Sequence, residues 1–344
     1  MPWKGEKDPY KIWLSEIILQ QTRVEQGLNY YNKFIKTFPD VHQLAKAKDS
    51  KVFKLWEGLG YYTRCRNLIA TARYISKELN GKFPNTYEAI KALKGIGPYT
   101  AAAISSFAFN LPNAVLDGNV FRVLARVFGI DKPIDSTEGK KYFSALANEL
   151  LDKKQPGLFN QAIMDFGAVV CKPVAPLCSS CIYKKKCSAF INNRVNELPV
   201  KEKKIIIRKR WFYYLLFEYK NEPDPSIKTQ DYRVAIRQRT GKDIWRDLYE
   251  FPLIESAKEL GEKSILQQAE NKKWLLKKNY EVLDVSPLFK QQLSHQLIAG
   301  RFIKLRVTQK PKMEKDWIWV VKNKAGRYAF PQFINQYLRG NPDK

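Results

Sequence analysis

The sequence predicts a multi-domain protein: an all-α domain closed by a four-cysteine loop, then an α+β domain. Three observations predict it. Apolar residues recur at helical spacing through the first half, and no strand-like alternation appears before residue 200. Four of the five cysteines fall together as Cys171, Cys178, Cys181 and Cys187, in the pattern C-x6-C-x2-C-x5-C. Beyond residue 210 the period changes to two, with dense aromatic and β-branched runs.

The helical stretches can be taken in order. In 9–27, Trp13, Leu14, Ile17, Ile18 and Val24 share one stripe. Further helices are expected over 30–38, 51–59, 64–79, 86–93, 101–109, 120–128, 137–151 and 160–170. A basic segment follows the cysteine loop, with Lys201, Lys203, Lys204, Arg208, Lys209 and Arg210. Strands are then expected at 211–219, at 232–237 where Tyr232, Val234 and Ile236 alternate with Arg233, Ala235 and Arg237, and at 303–308. One helix is expected among them, at about 256–278. The expected boundaries are 1–190 for the helical domain, 191–210 for a basic linker and 211–344 for the α+β domain. No internal repeat or low-complexity tract is visible.

Composition narrows the partners. The 344 residues carry 60 Lys and Arg against 34 Asp and Glu, a formal charge of +26. Such an excess implies a polyanionic partner, of which nucleic acid is the commonest. No segment is apolar enough to span a bilayer. The only histidines are His42 and His295, so chemistry that needs a histidine base or a histidine-bound metal is nearly excluded. No secretory signal is visible, and a reducing, cytoplasmic compartment is expected. Disulfides are therefore disfavoured for the cysteine loop. Four thiolates on one short loop suit a tetrahedral metal or a cubane iron–sulfur cluster.

Two carboxylates and one turn carry the remaining chemistry. Leu93-Lys94-Gly95-Ile96-Gly97-Pro98-Tyr99-Thr100-Ala101 joins two predicted helices, near 93–101. Gly95 and Gly97 permit a tight turn, Ile96 can plug the gap, and Pro98 suits the first turn of the next helix. Amides at that helix start can hold a phosphate without reading sequence. This is a helix-hairpin-helix pattern. Glu16 falls on its wheel between Trp13 and the pair Ile12 and Leu19. Hemmed in by apolar groups, its carboxyl would hold a proton near neutrality and serve as an acid. The other reading is a solvated glutamate beside Gln20 and Arg23. Asp117 precedes a helix whose apolar face is Val120, Val123, Leu124 and Val127. It is a helix cap, or the ionised partner in a two-carboxylate glycosidic site.

These motifs carry a resemblance. The helix with Glu16, the Gly95-Ile96-Gly97 hairpin, the Leu116-Asp117-Gly118-Asn119 turn and the cysteine spacing follow one another as in the endonuclease III superfamily of DNA glycosylases. Within it, Leu19-Gln20-Gln21-Thr22, Trp56-Glu57-Gly58-Leu59-Gly60-Tyr61-Tyr62 and Phe159-Asn160-Gln161-Ala162 resemble the MutY family, which removes adenine paired with 8-oxoguanine or guanine. The resemblance covers nearly the whole chain. It implies a [4Fe-4S] cluster on the four cysteines. It also implies that Glu16 protonates adenine at N7 and later activates water, while Asp117 stabilises the sugar cation with help from Tyr99.

Tyr99 stands where bifunctional relatives carry a nucleophilic lysine, so a monofunctional glycosylase is implied. Gln21, Leu59 and Tyr61 match positions that wedge into the opened duplex. Trp3, Leu19, Val24, Gln161 and Met164 match the pocket around the flipped base. The second domain resembles a Nudix-like module through Trp245-Arg246-Asp247-Leu248-Tyr249-Glu250-Phe251-Pro252, without the Nudix hydrolase motif. Ser294 and His295 then match a loop that contacts 8-oxoguanine, with Leu293 in place of the family's aromatic residue. A monomer is expected. Family members carry a further helix before the segment that here begins Met1-Pro2-Trp3, and a truncated or weakly active enzyme is one expectation. The alternatives are a bifunctional glycosylase–lyase and a non-catalytic iron–sulfur DNA-binding protein.

Overall fold

In the computed structural model, residues 4–202, 206–219, 232–276 and 279–340 are described. The chain divides into two compact units. One comprises Met1–Ala47 with Thr63–Lys204, the other Lys48–Tyr62 with Ile205–Lys344. The division thus falls inside the expected basic linker. It also gives the second unit a short segment from within the helical part of the sequence.

The first unit is helical. Its helices are α1 (Pro9–Leu19), α2 (Val24–Thr37) and α3 (Val41–Lys46), then α5 (Tyr62–Glu78), α6 (Tyr87–Lys91), α7 (Pro98–Phe109), α8 (Gly118–Phe128), α9 (Thr137–Leu150), α10 (Pro156–Val169) and α11 (Ser188–Ile191). The intervening α4 (Asp49–Trp56) lies in the second unit. The expected 9–27 helix is two helices. It breaks because Gln20 leaves the helical region and Gln21 takes φ +56°, with no glycine or proline to announce the turn.

α1 starts on Asp8, whose carboxylate accepts the Tyr10 amide at 2.9 Å, with Pro9 at the first helical position. Nearly every side chain on α1 from Tyr10 to Ile18 is buried. A helix apolar all round belongs inside a core, and each large apolar side chain buried there contributes roughly 1.5–3 kcal/mol. A second core joins α7, α8 and α9 through Ala103, Val120, Leu124, Phe143 and Ala147.

The second unit is built on one sheet. Its strands are β1 (Arg208–Tyr219), β2 (Arg233–Gln238), β3 (Tyr249–Glu250), β4 (Leu253–Ser256), β5 (Tyr280–Val285), β6 (Phe289–Gln292), β7 (Gln296–Val307) and β8 (Ile318–Val321). They run β3-β2-β1-β7-β5, with β4 on β1, β6 on β7 and β8 on β2. β1 and β7 pair in parallel over their whole length; the other pairings are antiparallel. Alternation on β1 divides the sheet's two faces. Trp211, Tyr213, Leu215 and Phe217 pack under α12 (Glu262–Asn271), where Ile265 and Ala269 meet them. Phe212 and Tyr214 face Trp245, Phe302 and Phe333, the last on α13 (Gln332–Gly340). The predicted 256–278 helix is shorter than expected: Ser256 closes a strand on β1, the helix starts only after Gly261, and Lys273 takes φ +60° just past its end. No helix among the described residues is long and apolar enough to cross a membrane.

Candidate functional site

Three helices of the first unit bring Glu16, Tyr99 and Asp117 together. Glu16 comes from the buried α1 and is 8% exposed. Tyr99 is the second residue of α7, directly after the hairpin. Its hydroxyl shares a hydrogen bond with Glu16 and lies 3.7 Å from Met164 Sδ on α10. Asp117 caps α8, accepting the amides of Asn119 and Val120 at 2.9 and 2.8 Å. Its second oxygen accepts from Asn119 Nδ2 at 2.8 Å. Burial pushes the Glu16 carboxyl up to about 7. The Tyr99 hydroxyl pulls the other way, and the Asp117 charge adds to the rise. Burial also drives the Tyr99 phenol well above its usual value, and the Glu16 and Asp117 carboxylates reinforce this. The solvated reading of Glu16 is thereby excluded. One proton-holding carboxyl sits beside one amide-capped carboxylate, a pairing suited to acid-assisted cleavage of a glycosidic bond.

The α1–α2 turn gathers on a residue that the sequence did not single out. Arg64 on α5 donates from Nη1 to the carbonyls of Ile17, Ile18 and Gln20 at 2.7, 2.9 and 2.6 Å. These carbonyls belong to the end of α1, which α1 itself cannot satisfy. Gln20 Nε2 in turn donates to Thr100 Oγ1 on α7 at 3.1 Å. The turn presents Gln21 exposed to solvent. Leu19 packs over Gly27, and Val24 stands 37% exposed. Gln161 donates to Asp165 Oδ1 at 3.1 Å. Trp3 lies outside the described residues.

The hairpin has the form its sequence implies. Gly95 has φ +81°, and a Cβ there would lie 2.6 Å from Asn67 Cβ. Ile96 is buried beneath the turn. Gly97 caps α7 with extended backbone and open space around its Cα, leaving the helix start accessible.

The four cysteines Cys171, Cys178, Cys181 and Cys187 line one small cavity, with Phe166, Leu177, Tyr183, Phe190 and Val195 around them. Burial raises the Cys178 thiol, and its neighbours Cys171, Cys187 and Cys181 add to the rise. Arg126 Nη1 approaches Cys171 Sγ at 3.5 Å, and the Tyr183 amide approaches Cys181 Sγ at 3.4 Å. The thiols are not drawn in to a coordination group among the described residues. The donor set nonetheless fits a cluster: four sulfurs face one cavity, with N–H donors aimed at two of them. Two arginines of α8 fasten this loop. Arg126 donates to the carbonyls of Lys172 and Leu198 at 2.7 and 3.0 Å. Arg122 donates to the carbonyls of Cys171 and Gly167, both at 2.7 Å, and to Asn119 Oδ1 at 2.7 Å. One residue, Asn119, therefore bonds both the catalytic candidate Asp117 and the arginine that holds the cysteine loop.

In the second unit, Leu293, Ser294 and His295 form the hairpin between β6 and β7, closed by the Leu293 amide on Gln296 O at 2.7 Å. Ser294 and His295 are exposed. Tyr61, 48% exposed and at φ +48°, belongs to the same unit. Its hydroxyl meets Ser294 Oγ at 2.5 Å. Leu59 is different: it is 6% exposed and part of the packing, so in this state it offers no side chain to a duplex. Glu250 of the Nudix-like run is buried, and its carboxylate is taken by Arg237 and Arg239.

Comparison with known proteins gives the family. Residues 14–151 match the family model described as "HhH-GPD superfamily base excision DNA repair protein", and 226–340 match that of the NUDIX domain. An adenine DNA glycosylase of Buchnera aphidicola subsp. Baizongia pistaciae is 37% identical over 99% of this chain and 87% of its own length. The mouse adenine DNA glycosylase is 42% identical, over 55% of this chain and 39% of its own. Among solved structures, a thermostable thymine-DNA glycosylase matches with a TM-score of 0.52 at 31% identity, covering 56% of this chain and 88% of that one. The chain belongs to the adenine DNA glycosylase family, within the HhH-GPD superfamily of base-excision repair proteins.

Proposed function

We propose that the protein removes adenine paired with 8-oxoguanine or guanine in duplex DNA, hydrolysing the N-glycosidic bond without cleaving the strand. The observation that carries this reading is Glu16, whose proton is held to about 7 beside Tyr99 and Asp117. The base leaves the stack before chemistry. The Glu16 carboxyl gives its proton to adenine N7, the bond to the sugar breaks, and neutral adenine departs. The Asp117 carboxylate faces the oxocarbenium-like sugar. Glu16, now ionised, takes a proton from the water that adds to that carbon. The Tyr99 phenol orients Glu16 and offers no amine for a Schiff base.

Around this centre, Leu19, Val24, Gln161 and Met164 form the adenine pocket, and Gln21 enters the opened stack. In the second unit, Tyr61 is a further wedge residue. Ser294 and His295 read the oxidised base. Gly95 and Gly97 let the phosphate backbone approach the α7 amides. The division of labour is a glycosylase domain at 1–190, a basic linker at 191–210 and a recognition domain at 211–344. Cys171, Cys178, Cys181 and Cys187 would hold a [4Fe-4S] cluster that fixes the loop bearing Lys172, Lys184, Lys185 and Lys186. The protein works as a monomer wherever the DNA is, in the cytoplasm or nucleoid.

Single-turnover cleavage of an adenine:8-oxoguanine duplex tests the reading. Wild type should release adenine, and Glu16→Gln should be slower by roughly 10²–10⁴-fold. Borohydride should trap no efficient covalent adduct. Absence of excision by wild type refutes the function, and full rate in the variant refutes the acid.

A further inference from the structure

Gln161, Met164 and Asp165 share one face of α10, spaced three and four apart. Met164 is the sulfur beside the Tyr99 hydroxyl. Gln161 therefore lies one helical turn from Met164, the residue that meets Tyr99. Its Nε2 donates to Asp165 Oδ1 at 3.1 Å, and Asp165 Oδ2 takes the Lys4 ammonium at 2.5 Å.

A primary amide has two ends of nearly equal shape and opposite hydrogen-bonding character. A carboxylate has no hydrogen to give. The end of Gln161 that meets Asp165 must be the NH₂, since reversal would set two acceptor oxygens against each other. Lys4 occupies the carboxylate's far oxygen, so no other donor from that side competes for the orientation. The end of Gln161 turned away from Asp165 is its carbonyl oxygen, an acceptor, with the second N–H of the amide beside it.

We infer that Asp165, backed by Lys4, is a positioning residue that sets the polarity of the Gln161 amide, so that the pocket takes a purine with an exocyclic amine at C6 and rejects one with a keto oxygen there. This rests on the proposal that Gln161 meets the flipped base. Adenine offers an N–H donor to Gln161 Oε1. Guanine and hypoxanthine would bring an oxygen to that oxygen, and the donor–acceptor pair that adenine makes there would be lost. Selection that depends on a hydrogen bond of fixed direction is stronger than selection by size, because the wrong base strands a polar group. The competing account makes Gln161–Asp165 an ordinary helix pair that supports α10 and has no bearing on the choice of base.

Asp165→Asn separates the two. The asparagine amide can donate to Gln161 Oε1, which frees Gln161 to turn its NH₂ toward the ligand. Full-length, cluster-loaded protein is tested under single turnover on duplexes carrying adenine, hypoxanthine or unsubstituted purine opposite 8-oxoguanine. Purine presents nothing at C6 and marks whatever loss is common to all three. Normalised to purine, the adenine-to-hypoxanthine ratio should fall by roughly tenfold in Asp165→Asn. Asp165→Glu, which restores an acceptor-only partner, should keep the wild-type ratio. An unchanged ratio in Asp165→Asn, or an equal decline on all three substrates, overturns the inference. Failure of wild type to release adenine at all would instead overturn the glycosylase reading beneath it.

Discussion

Glu16 is a carboxyl placed where ionisation is costly, and its pKa ties activity to stability. Its folded value of about 7 lies above the ordinary 4.5, so the folded protein keeps a proton that the unfolded chain has released between those values. Stability from this group is fully present below the unfolded value. It declines as pH rises through the window, reaching a loss on the order of 3 kcal/mol above it. Glu16→Gln removes the group and keeps its shape. The variant should therefore gain stability over wild type near about pH 8, with the gain closing toward about pH 5, as read by urea unfolding at both. A difference that does not vary with pH would contradict the assignment. Excision by wild type should fall in the same window, for want of the acid's proton. Glu16 was legible in the sequence because its neighbours on the wheel, Ile12 and Trp13, are buried as their spacing suggests. Arg64, Arg122 and Asp165 were not legible. They act on carbonyls or side chains brought near by tertiary packing, and no local pattern marks a residue whose partners are distant backbone.

The hairpin between α6 and α7 shows how an element can be read from two glycines with different duties. Gly95 is required by the fold: its positive φ and the 2.6 Å approach of Asn67 leave no room for a Cβ. Gly95→Ala should cost about 1–3 kcal/mol, visible as a lowered Tm. Gly97 has ordinary φ and open space, so Gly97→Ala should cost less than about 1 kcal/mol as a cap change. Its added methyl would stand where phosphate approaches the α7 amides, so duplex affinity should drop more than stability does. Retained affinity in Gly97→Ala would remove the phosphate role from this turn. Helices with long apolar stripes, such as α5, α8 and α9, were legible as elements. The short α3 was not, nor was the α1–α2 break, where Gln21 adopts a left-handed conformation that its sequence does not advertise. In the second unit the long β1 and β7 carried the signal. β3, β4 and β6 are only two to four residues long, too short for alternation to show; the nine-residue α13 was also missed.

At the scale of the molecule, the two units follow packing and not sequence order. Lys48–Tyr62 belongs with the C-terminal sheet, where Glu57 accepts the Phe330 amide at 2.8 Å and Lys54 donates to Tyr328 O at 3.0 Å. No boundary drawn along the sequence could show that, because the segment is flanked on both sides by residues of the other unit. It carries Tyr61 to Ser294, so two residues proposed to contact the DNA, widely separated along the chain, are neighbours within one unit. Charge is the other molecular property. An excess of +26 gives a general attraction for any polyanion, whereas phosphates seated at α7 and along the cysteine loop would release a definite number of counterions. The two differ in how binding responds to salt. With several lysines and amides seated on phosphates, log affinity for duplex DNA should fall linearly with log salt, with a slope steeper than about −3. Replacing Lys184, Lys185 and Lys186 by Gln together should reduce that slope by about two to three while leaving the adenine-to-hypoxanthine preference intact. These lysines are exposed on the cysteine loop and are not among the residues proposed to meet the base. A slope unmoved by the triple substitution would mean that the loop does not touch the backbone. The excess charge would then act only as a diffuse field.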